Sequence, residues 1–242
     1  MSFESNSFAD WANRWMVLAR YDGPVVPDVS HRIEQLVSLW REEIPGQWQR
    51  GVDSQLLGPR YRRGDVDAPH PGEHTIEHEI LYQYFDCVSC YENKLVDGVN
   101  ALPLASDAGG GRRANVEADM FLLAEHEGAY RLFLCEVKAD GDNACFAAVE
   151  SLRQLKLLMS SSEPLGVFTH RNPSLCLPSD VPVTAIVLAP RSFYESRGKK
   201  KNAGEPTLKL LARFKSEFGV DVRLAVWDSR LFDIKDWLPP VR

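Results

Sequence analysis

VEADMFLLAEHEGAYRLFLCEVKA, running from Val116 to Ala139, is the stretch that decides the fold. Two apolar runs rich in Phe, Leu and Val flank Glu127-Gly128, a pattern that predicts a β-hairpin. With Glu127 and Gly128 as the two loop residues, His126 faces Ala129 and Asp119 stands opposite Glu136. Side chains alternate faces along a strand, so Glu136 and Lys138 share one face, as do Glu117 and Asp119. Directly opposed residues point the same way, with Cβ atoms about 5 Å apart. The register therefore predicts Glu117, Asp119, Glu136 and Lys138 on one face of two otherwise apolar strands.

Such a face is costly by itself. Opposed carboxylates repel, and charge on a strand flanked by core residues loses hydration. A divalent cation removes the conflict, since Mg²⁺ takes one or two carboxylates and keeps several waters. A lysine beside such a cation can orient or help deprotonate an attacking water, or stabilise charge on a phosphate. The plainer alternative places Glu136 and Lys138 on the solvated face of an edge strand.

An Asp, a hairpin and then Glu-x-Lys, here Asp119 and Glu136-Val137-Lys138, resembles the core signature of the PD-(D/E)XK nuclease superfamily. The resemblance implies a restriction-endonuclease-like α/β sandwich, with a central mixed sheet flanked by helices. It further implies that Asp119 and Glu136 hold Mg²⁺ (or Mn²⁺), aided by Glu77 and the Val137 carbonyl. Lys138 would assist the water or the phosphate, and cleavage would leave a 5′-phosphate. DNA is the expected partner, with RNA left open.

Composition sets the frame for these expectations. A chain of 242 residues with 44% hydrophobic and 26% charged residues is ordinary for a globular protein and ample for a core. No run of eighteen apolar residues predicts a membrane span, and Met1-Ser2-Phe3-Glu4 opens no secretion signal, so a cytoplasmic location is expected. Cys87, Cys90, Cys135, Cys145 and Cys176 are odd in number, which predicts free thiols. Cys87-x-x-Cys90 lacks a second pair to complete a zinc site, so packing at a helix end is the better reading. A net charge of −6 does not advertise a nucleic-acid binder, but local patches set phosphate contacts. The candidates are Arg60, Arg62 and Arg63, then Arg112 and Arg113, then Lys199 to Lys201.

Before the hairpin, residues 5–20 place Phe8, Trp11, Trp15 and Leu18 at helical spacing. Pro24 and Pro27 interrupt, Ser30 is a candidate N-cap, and Ile33, Leu36, Val37 and Trp40 mark a second helix. Two helices cannot bury two stripes alone, so they are expected to pack on the following domain, on a partner or in a homodimer. Residues 51–73 read as a long connection, a feature often functional. The expected division is an N-terminal helical extension over 1–72 and a catalytic domain over 73–242.

Residues 75–85 predict a helix whose apolar face carries Ile76, Ile80, Leu81, Tyr84 and Phe85. Glu77 projects from the middle of that face, whereas Glu79 points away. A carboxylate on an apolar face needs a partner. Glu77 also matches the first-helix Glu that points at the metal in the nuclease superfamily. The same segment spells His74-Thr75-Ile76-Glu77-His78, an H-x-x-E-H order in which two histidines can bind zinc while the glutamate acts as base. A zinc metallopeptidase, with Glu150 as third ligand, is therefore the alternative enzyme. It leaves the charged hairpin unexplained.

Residues 91–100 predict a short strand, and the Gly109-Gly110-Gly111 loop would deliver Arg112 and Arg113 to a phosphate backbone. Asp140 to Asn143 predicts a turn and cap before a helix over 144–159. Gln154 on that helix matches a glutamine that helps organise the site in RecB-like nucleases; the aromatic expected four residues later is Leu158 here. A buried strand over 182–189, a helix over 207–218 stopped at Gly219, and a strand over 220–227 complete the order. The expected function is Mg²⁺-dependent hydrolysis of phosphodiester bonds. A non-catalytic nucleic-acid-binding or assembly module on the same fold is the second alternative.

Overall fold

The structure, a computed structural model, describes residues 7–20, 29–45, 48–50, 72–107, 116–139, 143–160, 165–195 and 204–237. Arg60, Arg62, Arg63, Arg112, Arg113 and Lys199 to Lys201 lie outside them.

Two strands, β4 (Val116–His126) and β5 (Ala129–Val137), form the hairpin around which the sheet is built. Glu127 (φ 51°) and Gly128 (φ 81°) both take the left-handed conformation that a tight two-residue hairpin turn demands. The expected register holds from His126↔Ala129 up to Met120↔Cys135. Both strands read as continuous apolar runs because both faces are covered. Phe121, Leu123, Leu132 and Leu134 face one core, and Met120, Leu122, Phe133 and Cys135 face the other.

The remaining strands are β1 (Trp48–Arg50), β2 (Ser89–Cys90), β3 (Asn93–Asp107), β6 (Val183–Ala189), β7 (Val222–Val226) and β8 (Asp233–Asp236). Their order in the mixed sheet is β1-β3-β2-β8-β7-β6-β5-β4, and β3 pairs with β4 as well, so the sheet curls back on itself. Strands β5, β6 and β7 run parallel, whereas β3, β4 and β5 run antiparallel. Of residues 91–100, expected as a short strand, Tyr91 and Glu92 form a turn and the rest belong to β3, which runs fifteen residues. It gains that length by pairing with β4 along almost its whole course, a non-local partner that local pattern cannot reveal.

Helices cover the outer face: α1 (Phe8–Ala19), α2 (Val29–Arg41), α4 (Ala144–Met159) and α7 (Gly204–Phe218). Phe8, Trp11 and Trp15 of α1 join Val149 and Leu152 of α4 and Phe214 of α7 in a single core. The amino-terminal helices thus pack on the chain's own sheet layer. Helix α1 starts at an N-cap formed by Ser7, whose hydroxyl accepts from the Asp10 N–H. Helix α2 begins at Val29, so Ser30 stands inside it rather than capping it. Short helices α5 (Gly166–Arg171) and α6 (Arg191–Glu195), with β1, β2 and β8, were not anticipated by periodicity, being too short to show a full period.

The inner, concave face is filled by residues 73–87. Here the expected single helix is three turns of different pitch. An α-helical turn, α3 (Glu73–His78), leads into a wider π turn (Glu79–Gln83), then a 3₁₀ turn (Phe85–Cys87). Ile76, Ile80, Leu81 and Phe85 enter the inner core beside Ile186, Trp227 and Ile234. Glu79, expected to point away, accepts a hydrogen bond from the Trp227 indole at 2.6 Å. The curl of the sheet brings β7 round to a side of this segment that a flat sheet would leave in water.

Candidate active site

The hairpin strands part after Met120↔Cys135, and the predicted Asp119–Glu136 pair lies just beyond the last rung. At that opening Asp119 Oδ2 accepts a hydrogen bond from the Val137 N–H at 2.7 Å. Side chain thus replaces backbone in closing the ladder. Asp119 is half-buried. Burial pushes its carboxyl up to about 7, against the Val137 hydrogen bond, and the nearby Glu77 charge adds to the rise.

Glu136 and Lys138 share the outer face of β5, as strand alternation requires. Lys138 Nζ lies 2.6 Å from Glu136 Oε1 and 3.1 Å from Glu150 Oε2, with Glu73 Oε1 at 3.9 Å. Only 7% of Lys138 and 4% of Glu136 is exposed, so the solvated-edge reading does not describe them. Burial opposes the lysine's charge, but Glu136 and Glu150 outweigh it and raise its pKa further. Lys138 is an ammonium throughout the physiological range. Burial and the Asp119 charge raise the Glu136 carboxyl; burial and Glu136 push Glu150 up to about 8.

Helix α4 supports this pair from behind. Its N-cap is Asn143, whose Oδ1 accepts from the Phe146 N–H at 2.9 Å. Glu150 and Gln154 stand four residues apart and so share a helix face. Gln154, 2% exposed, donates through Nε2 to Glu136 Oε2 and, at 3.0 Å, to the Glu117 carbonyl. Gln154 is no surface amide; it ties α4 to both hairpin strands. Glu117 is tied to the site through its backbone, and its side chain is half-buried.

Glu77 closes the inner side. It is 4% exposed, accepts from Asn100 Nδ2 at 3.1 Å and lies 3.3 Å from His74 Nδ1. Burial raises its pKa, against the Asn100 and His74 contacts. Asn100 is 6% exposed and precedes Ala101, which takes a left-handed φ of 48° within β3. Backbone in that region tends to persist where surroundings hold it, often at functional sites. Neither Asn100 nor Glu73 carried a sequence signal, because their roles come from tertiary contacts. Glu150 did carry one: a carboxylate four residues before Gln154, on a helix face that turns to the sheet.

Glu77, Asp119 and Glu136 are thus close enough to raise one another's pKa in a chain, Glu77 acting on Asp119 and Asp119 on Glu136. Among the described residues, no three His, Cys, Asp or Glu side chains are gathered as a ready metal-ligand group. That applies equally to the H-x-x-E-H segment. There His74 engages Glu77, and the His78 ring lies against Tyr82, tilted by 34° with 5.4 Å between ring centroids. The five cysteines are free; Cys90 and Cys135 are buried in the inner core, which pushes their thiols well up. Among the described residues, no helix is long and apolar enough to cross a membrane. In comparison with known proteins, the chain matches no family model, no curated protein and no solved structure.

Proposed function

We propose that this chain is a divalent-cation-dependent nuclease on a restriction-endonuclease-like sandwich, acting on the phosphodiester bonds of DNA. One observation carries the reading. Where the hairpin opens, the Asp119 carboxylate is pinned to the Val137 N–H while Glu136 and Lys138 of the same strand sit in mutual contact. That contact set supports reading Asp119 and Glu136-Val137-Lys138 as the Asp and the Glu-x-Lys of the PD-(D/E)XK pattern.

A hard cation fits the donors. Mg²⁺ needs only one or two carboxylates and completes its shell with water, so a three-ligand cage is not required. Asp119 and Glu136 would hold Mg²⁺ or Mn²⁺, with the Val137 carbonyl and Glu77 as supporting donors. Burial, with the Glu77 charge adding to it, lifts the Asp119 carboxyl to about 7, and a bound cation would favour its ionised form. Such an ion lowers the pKa of bound water and neutralises charge on a phosphate.

The protein's own groups divide the remaining work. Lys138, held as an ammonium by Glu136 and Glu150, can donate to a phosphate oxygen or to the attacking water. It does not remove the water's proton, since its charge is stabilised. Gln154 fixes the Glu136 carboxylate, and Asn100 fixes Glu77. These partners hold the acids before any ligand arrives.

Plasmid and linear DNA incubated with Mg²⁺, Mn²⁺, Zn²⁺ or EDTA test this reading, with Lys138→Ala alongside. Nicking that requires Mg²⁺ or Mn²⁺ and disappears in the variant is expected. Absence of cleavage together with tightly bound zinc would move the assignment to His74, Glu77 and His78. Absence of both cleavage and zinc would leave a binding module.

A further inference from the structure

A cleft of about 680 Å³ opens where the parallel strands β5, β6 and β7 end, bounded by Ala139, Pro190 and Trp227. In α/β proteins the carboxyl ends of parallel strands are where ligands commonly bind, in closed and open sheets alike. Two of its lining stretches adjoin the candidate active site along the chain. Ala139 directly follows Lys138, and Thr75 and Ile76 lie on the same turn as Glu77. Its volume is in the range of small-molecule sites, roughly 300–1,000 Å³.

The lining says what could fill it. Ile76, Val226, Trp227 and Leu231 supply an apolar surface, and Leu231 is 58% exposed although large and apolar. The Trp227 ring is fixed by its bond to Glu79. Charge argues against a phosphate track. Arg191 and Lys235 are the lining cations, against the carboxylates of Glu79, Asp228, Asp233 and Asp236. Two positive and four negative groups would repel the backbone of a duplex. They suit instead a flat, neutral aromatic group carrying hydrogen-bond donors. An unpaired nucleobase with an exocyclic amine has that character.

From these features we infer that the cleft receives a nucleobase splayed out beside the scissile phosphate, so that the substrate is single-stranded or locally unpaired nucleic acid. The inference rests on the nuclease reading and gives it a substrate class. The carboxylates would accept from the amine of that base, with its flanking phosphates left outside the cleft. Contacts to the face of a base tolerate sequence, because every base has one.

Binding can be measured apart from cleavage. Lys138→Ala protein in EDTA is titrated with a labelled single-stranded deoxyoctanucleotide, the matching duplex and an abasic octamer, following fluorescence anisotropy. The single strand is expected to bind about tenfold tighter than the other two, the effect of roughly one base contact. Ser192→Trp, which fills the cleft, and Leu231→Asp, at an exposed position, are each expected to remove that preference. The abasic octamer should bind all three proteins alike. Equal binding of duplex or abasic octamer, or unchanged preference in both variants, would overturn the cleft assignment. Metal-dependent cutting of duplex DNA by the wild type, with no single-strand preference, would sink the cleft alone. No binding and no cutting of any nucleic acid would sink the nuclease reading with it.

Discussion

Asp119 is where the chemistry of this chain is most exposed to test. Its carboxyl stands at about 7 when folded and near the ordinary value of about 4 when unfolded. Between those values the folded chain holds the extra proton, so the Asp119 contribution to metal-free stability falls as pH rises from about 4 to about 7, then stays flat. Asp119→Asn keeps an acceptor for the Val137 N–H and removes the charge. At pH 8 without metal the variant should therefore melt above the wild type, by roughly 2–4 °C for each kcal/mol relieved. The difference should shrink towards pH 4, and a lower melting point at pH 8 would contradict the burial of that charge. Asn100→Ala withdraws the donor from buried Glu77 and should weaken Mn²⁺ binding about 10–100-fold, as outer partners of metal sites do; isothermal titration reads it. The strand positions of Glu136 and Lys138 were legible because a period of two and a two-residue turn fix the register up to Met120↔Cys135. The direct pairing of Asp119 with Glu136 was not met, since the ladder stops one rung short of it. Asn100 was not legible, since its place beside Glu77 depends on β3 finding β4.

At the scale of elements, α4 and the segment 73–87 hold the site from opposite sides. Helix α4 matches its predicted bounds of 144–159, because the Asn143 cap and an unbroken apolar stripe specify it locally. Asn143→Ala should cost about 1 kcal/mol in denaturant unfolding, and it loosens the helix that carries Glu150 and Gln154. The 73–87 segment was legible as apolar and helical but not as a change of pitch, which its fit inside the curled sheet imposes. That fit requires a glycine on β3. A Cβ at Gly98 would stand 2.6 Å from Leu81 Cδ2 and 3.0 Å from Leu122 Cδ2. Gly98→Val should destabilise the protein by about 1–3 kcal/mol, the usual cost of overpacking. An unchanged unfolding midpoint would mean that the segment does not seat on β3 as described.

Across the whole molecule, the amino-terminal helices belong to the same core as the sheet. Trp11 and Trp15 are fully buried beside α4, whose opposite side faces the hairpin. Trp15→Ala should cost about 3–5 kcal/mol by cavity formation. Removal of residues 1–44 should leave a chain that fails to fold cooperatively, with apolar surface on α4 exposed. A truncated chain with a sharp thermal transition would show instead that these helices are dispensable. The layered α/β arrangement was legible from the order of elements. The closure of the sheet through β3 and β4 was not, because no local pattern records which distant strand an edge will meet.

The central claim is that the opened hairpin is a divalent-metal centre. Anomalous scattering from crystals grown with Mn²⁺ tests it most directly. The account predicts a peak bonded to Asp119 and Glu136, lost in Asp119→Asn. Manganese bound at His74 and His78, or a hairpin without a peak at saturating Mn²⁺, would contradict it.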